Sequence, residues 1–161
     1  MANAALEAGK EVAWIPSYGP EMRGGTAYCM VVISDRPVGS PIIQSPSHLV
    51  VMNRPSLEKF APMIKPNGIC MVNSSLIPIS ANREDIDELR VPCNEIANEL
   101  GNARVANIVA LGAFAARSNL LDFDLVRNAV AEEFSKKPKL VPLNLEAMNR
   151  GASVAKQTQG A

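Results

Sequence analysis

The stretch "PSYGPEMRGGT", Pro16 to Thr26, sets an acid, an arginine, a tyrosine and a Gly-Gly pair between two apolar runs. Gly24 and Gly25 carry no Cβ, so their backbone N–H groups can face a ligand at close range. Arg23 beside them is a planar, permanently charged fork suited to phosphate or carboxylate. Glu21 stands two residues before the arginine. It could hold that fork in place or accept from a ligand hydroxyl. Tyr18 is one of only 2 tyrosines and could stack on a flat ring. The chemistry on offer is anion binding. The same residues would also serve a tight loop with a salt-bridged arginine, and composition does not separate the two.

Other residue types with chemical potential are scarce. Asn53, with Arg54 next to it, and "NSS" at Asn73 to Ser75 close two further apolar runs. These are either polar groups aimed at a ligand or ordinary strand terminators. His48 is the 1 histidine; no histidine metal cluster can form, and a loop or capping role fits its place after "SPS". Glu84, Asp85, Asp87 and Glu88 read as the solvated face of a short helix. The 3 cysteines, Cys29, Cys70 and Cys93, lie far apart without a C-x-x-C pair, the pattern of reduced thiols and not of a disulfide framework, zinc site or iron–sulfur cluster.

The elements that must position these groups alternate. A helix over Ala2 to Ala8 stops at Gly9. Strands are expected at Glu11–Ile15, Ala27–Ser34, His48–Asn53 and Ile69–Ser75. "RPSLEKFAPMI" is helical, with Pro55 in its first turn. "NREDIDEL" is expected as a short acidic helix, and "VPCNEIANELG" as a brief strand and then a helix closing at Gly101. "ARVANIVALGAFAARSN" is apolar nearly all round and so buried. "DFDLVRNAVAEEFSKK" begins with a capping aspartate, and "LNLEAMNRGASVAKQ" is a last helix. Strands alternating with helices predict a layered α/β domain with a mainly parallel, or mixed, sheet. In such sheets ligands sit outside the carboxyl ends of the strands. If the strands are parallel neighbours, the polar ends at "PSYGPEMRGG", Asn53–Arg54 and Asn73–Ser75 face one crevice.

Composition bounds the partners. The chain has 161 residues, 47% hydrophobic and 20% charged, with Lys+Arg and Asp+Glu both 16. This is one domain with a real core. The charge balance and the lack of a basic run argue against nucleic acid or an anionic membrane as partner. No apolar run is long enough to span a bilayer, no signal peptide is visible, and a cytoplasmic protein is expected.

"PSYGPEMRGGTAYCMVVISDRPVGSP", "MNRPSLEKFAPMIKPNG", "VNSSLI" and "VPCNEIANELGNARVANIVALGAF" together resemble the gamma subunit of 2-oxoacid:ferredoxin oxidoreductases. The resemblance runs from about Ala8 to the final helix. It implies a three-layer α/β/α domain, residues 1–161, inside an enzyme that decarboxylates a 2-oxoacid and couples the acyl group to coenzyme A. It implies that thiamine diphosphate, magnesium and iron–sulfur clusters sit on partners: alpha and beta catalytic subunits, in some members a ferredoxin-like delta subunit, with ferredoxin as acceptor. For this chain it implies no catalytic residue of its own. It points instead to coenzyme A binding by Ser17, Tyr18, Glu21, Met22, Arg23, Gly24, Gly25, Asn53, Asn73 and Ser74. The loop's version looks more like the 2-oxoglutarate or branched-chain enzymes than the pyruvate type.

Family members begin with a strand, a "GxGGQG" loop and a helix. This chain starts at "MANAALEAGK", which resembles the inside of that helix, so an N-terminally truncated version of the fold is expected. The alternative to a coenzyme A role is a purely structural assembly subunit that touches no ligand.

Overall fold

A computed structural model describes residues 1–17 and 27–158. Three strands form a wholly parallel sheet in the order β3-β4-β5: β3 is His48–Val51, β4 Ile69–Asn73 and β5 Asp87–Val91. The pleat of β4 sends alternate side chains to opposite faces. Cys70 and Val72 enter one core with Val51, Leu57, Ala61, Ile64 and Ile77. Met71 enters a larger core shared with Leu89, Val91 and the helices α1 (Ala2–Glu7), α3 (Cys93–Glu99), α4 (Ala106–Ser118), α5 (Phe123–Glu133) and α6 (Val141–Gln157). Helix α2 (Arg54–Phe60) covers the first face. The expected three-layer α/β/α arrangement is what forms, with β4 buried on both sides.

The strands β1 (Glu11–Ser17) and β2 (Tyr28–Ser34) do not join that sheet. They pair with each other, antiparallel, from Glu11↔Ser34 to Ser17↔Tyr28. The segment 18–27 between them is too short for the crossover of a dozen or more residues that a parallel pair requires, so a hairpin is the outcome. Consequently Ser17 does not end a strand of the parallel sheet.

A second expectation fails at "NREDIDEL". The segment does not form a helix; Asp87–Val91 is strand β5. Leu89 and Val91, two apart, face the large core, which is the spacing of a strand and not of a helix. Nor do the acids share one solvated face: Glu84 and Asp85 are exposed, while Asp87 and Glu88 are partly covered. The Asp85 carboxylate accepts from Arg83 at 2.8 and 2.5 Å, Asp87 from Arg117 at 2.6 and 2.7 Å, and Glu88 from Arg90 at 2.9 Å. The crossover from β4 to β5 contains no helix and is held by side chains of β5. Arg90 donates to the Ile79 and Ile77 carbonyls at 2.8 and 2.6 Å, and Glu88 accepts from Ser80 Oγ and Ala81 N–H, both at 2.8 Å.

Helices α4 and α6 meet through glycine. A Cβ on Gly112 would lie 2.0 Å from the Met148 carbonyl oxygen, and one on Gly151 2.0 Å from that of Val109. Backbone touches backbone there. Gly151→Ala and Gly112→Ala must each push the helices apart; overpacking of this kind costs about 1–3 kcal/mol. Losses at the upper end of that range are expected, measured as a lowered urea midpoint at unchanged m-value.

Candidate functional site

The candidate residues divide three ways. Tyr18, Glu21, Met22, Arg23, Gly24 and Gly25 lie outside the described residues. Ser17, the described residue leading to them, is paired with Tyr28. The Tyr28 ring meets Phe60 edge-on at 4.9 Å between centroids, and the Lys59 ammonium stands 5.6 Å from the same ring. Ser17 is therefore placed beside the C-terminal end of α2. Asn53 is at its other end. Seven helical residues separate the two, about 10 Å at 1.5 Å per residue.

Asn53, just beyond β3, and Asn73, the last residue of β4, follow adjacent parallel strands but are in different states. Asn53 is exposed and is the N-cap of α2; its side-chain oxygen accepts from the Ser56 N–H at 3.0 Å. Asn73 is wholly buried, at 0% exposure. Its Oδ1 accepts from the Cys93 N–H at 3.2 Å, and its Nδ2 donates to Asn94 Oδ1 at 2.8 Å. The Ser74 N–H continues the ladder to the Val91 carbonyl at 2.9 Å. Ser75 Oγ accepts from the Asn94 and Glu95 N–H groups at 3.1 and 3.3 Å.

Helix α3 explains this arrangement. Its N-cap is Pro92, which offers no side-chain acceptor, yet the first N–H groups of any helix need partners. Asn73 and Ser75, arriving from the end of β4, supply them. "NSS" thus closes the α3 N-terminus from a distance, and the Asn73 amide is spent inside the chain. Sequence could not announce this, because the capping residues and the helix they cap are about twenty positions apart.

The lone histidine has no catalytic company in the described region. His48 Nδ1 is 2.9 Å from Ser47 Oγ, but the group against the ring is Phe114, edge-on at 5.8 Å. Burial lowers the His48 pKa from its ordinary value, favouring neutral imidazole. The cysteines do not converge: Cys29 is exposed on the hairpin, while Cys70 and Cys93 are buried in different cores. Among the described residues no cluster of His, Cys, Asp and Glu could hold a metal, and no helix is long and apolar enough to cross a membrane.

The sequence profile of the pyruvate ferredoxin/flavodoxin oxidoreductase family matches residues 1–154. The ketoisovalerate oxidoreductase subunit VorA of Methanothermobacter marburgensis is 39% identical over 158 residues, which take in 98% of this chain and 33% of VorA. The chain thus spans about a third of the length of that relative. The 2-oxoglutarate synthase subunit KorC of Methanocaldococcus jannaschii is 34% identical over 156 residues, 96% of this chain and 82% of KorC. Among solved structures, the gamma subunit of a keto/oxoacid ferredoxin oxidoreductase from Geobacter sulfurreducens PCA superimposes with a TM-score of 0.80 at 30% identity, covering 98% of this chain and 88% of that one. The 2-oxoglutarate:ferredoxin oxidoreductase from Magnetococcus marinus, solved with 2-oxoglutarate, coenzyme A and succinyl-CoA bound, gives 0.83 at 25% identity, covering 96% of this chain and 27% of that one.

Two outcomes follow from the geometry. Asn73→Ala leaves the Cys93 N–H buried without its acceptor. A loss of about 1–3 kcal/mol is expected, read from thermal or urea unfolding. Burial, with the Glu88 charge adding at Cys70, pushes the Cys70 and Cys93 thiols up to about 12. They stay protonated at pH 8 and resist alkylation, because the thiolate is the nucleophile. Mass spectrometry after maleimide treatment is expected to find only Cys29 modified in the native chain, and all three thiols in urea.

Proposed function

The chain belongs to the pyruvate ferredoxin/flavodoxin oxidoreductase family, and from that premise we propose that it is the gamma-type subunit of a 2-oxoacid:ferredoxin oxidoreductase. The observation that carries this is the likeness along nearly its whole length to an isolated gamma subunit. In this reading it works beside alpha and beta catalytic subunits, with a ferredoxin-like delta subunit where one is present, in the cytoplasm. Those partners hold thiamine diphosphate, magnesium and the clusters, which supply the decarboxylation and the electron path to ferredoxin. Cys29 is exposed, and Cys70 and Cys93 are buried in different cores. A 2-oxoglutarate or branched-chain 2-oxoacid is the proposed substrate class, in keeping with the KorC and VorA relatives.

The chain's own chemical part is to hold coenzyme A. Arg23 provides a charged fork for a phosphate, Gly24 and Gly25 provide backbone donors, Glu21 orients the arginine, and Tyr18 offers a stacking face. Ser17 precedes that loop in sequence and Met22 lies within it; the exposed Asn53 stands at the far end of α2 from Ser17. Support comes from these residue types and from the coenzyme A bound in the Magnetococcus marinus structure. Asn73 is engaged inward and Ser74 acts through its backbone, which counts against a ligand role for those two positions.

Arg23→Ala in the assembled enzyme separates the readings. A charge-assisted hydrogen bond is worth roughly 1.5–3 kcal/mol, so the KM for coenzyme A is expected to rise about ten- to a hundredfold while decarboxylation without coenzyme A is spared. Arg23→Lys recovers only part of this, because a point charge cannot reproduce a bidentate fork. Release of the subunit on gel filtration, with every step depressed together, would support assembly instead. An intact complex with unchanged coenzyme A kinetics would rule out both roles for Arg23.

A further inference from the structure

Asn67 and Gly68 form the turn that leads into β4, and each is there for a different physical reason. Asn67 has a backbone φ of 61°, in the left-handed region that asparagine tolerates better than most residues with a side chain. At Gly68 a Cβ would lie 2.5 Å from Ile64 Cγ2, 2.6 Å from the Ser47 carbonyl oxygen and 2.8 Å from that of Lys65, so only glycine fits. The two demands together write Asn-Gly into the chain, the one such pair in its sequence. Asn-Gly is also the least shielded setting for attack of a backbone nitrogen on the preceding side-chain amide, because glycine places no side chain beside that nitrogen.

Asn67 is exposed, and its side-chain amide has no hydrogen-bond partner among the described residues. The attacking nitrogen is restrained by a single turn, in which the Gly68 N–H donates to the Lys65 carbonyl at 3.0 Å. A surface turn of this kind opens at far less than the cost of unfolding the domain. The other asparagines of positive φ, Asn82 and Asn119, precede Arg83 and Leu120, which carry large side chains at the corresponding nitrogen. Asn73 precedes the small Ser74 but is sealed: its amide is buried and bonded on both sides, and the Ser74 N–H is held by the Val91 carbonyl.

The geometry points to Asn67 as a site of spontaneous, backbone-assisted deamidation. The Gly68 nitrogen gives up its proton to base and bonds to Asn67 Cγ; the Cγ–Nδ2 bond breaks and the amide leaves as ammonia. Water then opens the cyclic imide at either carbonyl, giving aspartate or an isoaspartate linkage. The isoaspartate linkage adds a carbon to the main chain between two bonds that align the start of β4 with β5. These are the Asn67 N–H to the Asp85 carbonyl at 2.6 Å and the Asp87 N–H to the Gly68 carbonyl at 2.8 Å. That spacing is lost in the modified chain.

The test follows Asn67 and Asn73 in the full chain by peptide mass spectrometry during incubation at pH 8, folded and in urea. Reaction at Asn73 waits for global unfolding, so urea is expected to accelerate it by about a hundredfold or more, and Asn67 by less than about tenfold. Conversion of Asn67 in the folded chain is expected to speed up with rising pH, since the attacking group is the deprotonated amide. Asn67→Gly, which suits the same backbone conformation, is expected to abolish the acidic form that accumulates on isoelectric focusing. The isoaspartate form, separated by ion exchange, is expected to unfold at lower urea than the parent chain. A folded chain in which Asn67 is protected as strongly as Asn73 overturns the inference, and an isoaspartate form as stable as the parent overturns its structural consequence. If Asn67→Gly fails to fold, the wild-type rates decide alone. Neither result bears on the gamma-subunit reading.

Discussion

Asn73 ties the central strand to the helical layer, and much of the molecule takes its alignment from that tie. It stands at the end of β4, the strand whose side chains enter both cores. Its Oδ1 accepts the Cys93 N–H and its Nδ2 reaches Asn94. Because β5 runs through Pro92 directly into α3, these bonds fix the angle at which the chain leaves the sheet. Ser75 adds its hydroxyl to the same helix end. A buried amide that makes bonds on both sides is costly to lose, since either remaining partner would be left dry and unpaired. The positive end of α3 is in consequence closed by the protein itself, which directs any search for an anion site away from "NSS" and toward the loop after β1.

Around this tie, arginines do the work that regular structure does elsewhere. The β4–β5 crossover holds only a single turn, closed by the Ile77 N–H on the Asn73 carbonyl, so Arg90 and Glu88 supply partners for the rest of its backbone. Arg83 donates to the Ala61 and Ile64 carbonyls at 3.0 and 2.7 Å, at the end of the turn that follows α2. Arg117 joins α4 to the first residue of β5 through Asp87. Each guanidinium bridges segments distant in sequence. Its planar array of donors is what allows one side chain to serve several acceptors at once.

Most of the layered fold was legible because its signals are local. Gly9 and Gly101 end helices with positive φ, at 71° and 78°; Asp122 caps α5 through the Asp124 and Leu125 N–H groups; the apolar helix over Ala106–Ser118 is buried as its composition requires. What was not legible depends on pairing across the chain. The acids of "NREDIDEL" look like a helix surface until Arg83, Arg90 and Arg117 are placed beside them, and no spacing announces those partners. Whether β1 and β2 joined the parallel sheet turned on connection length, a cue present in the segment 18–27 but outweighed by the alternating pattern. For the candidate site, residue type alone could not separate Asn53, exposed at a helix cap, from Asn73, sealed in the interior. Burial decides that, and burial is a property of the whole fold.

The unequal burial of the two sheets also sets a hierarchy of opening. Residues 70–73 are buried without exception, so the amides of β4 are shielded until the whole domain unfolds, and their exchange with solvent deuterium reports global stability. The hairpin has no fully buried residue along its length, and a lone pair of strands is only marginally stable in water. Peeling it away breaks the packing of Val12 and Ile33 on the large core and the Tyr28–Phe60 and Met30–Ile43 contacts, which is expected to cost less than global unfolding. Exchange of the hairpin amides is therefore expected to run ahead of exchange in β4, because only the latter waits for the whole fold to open.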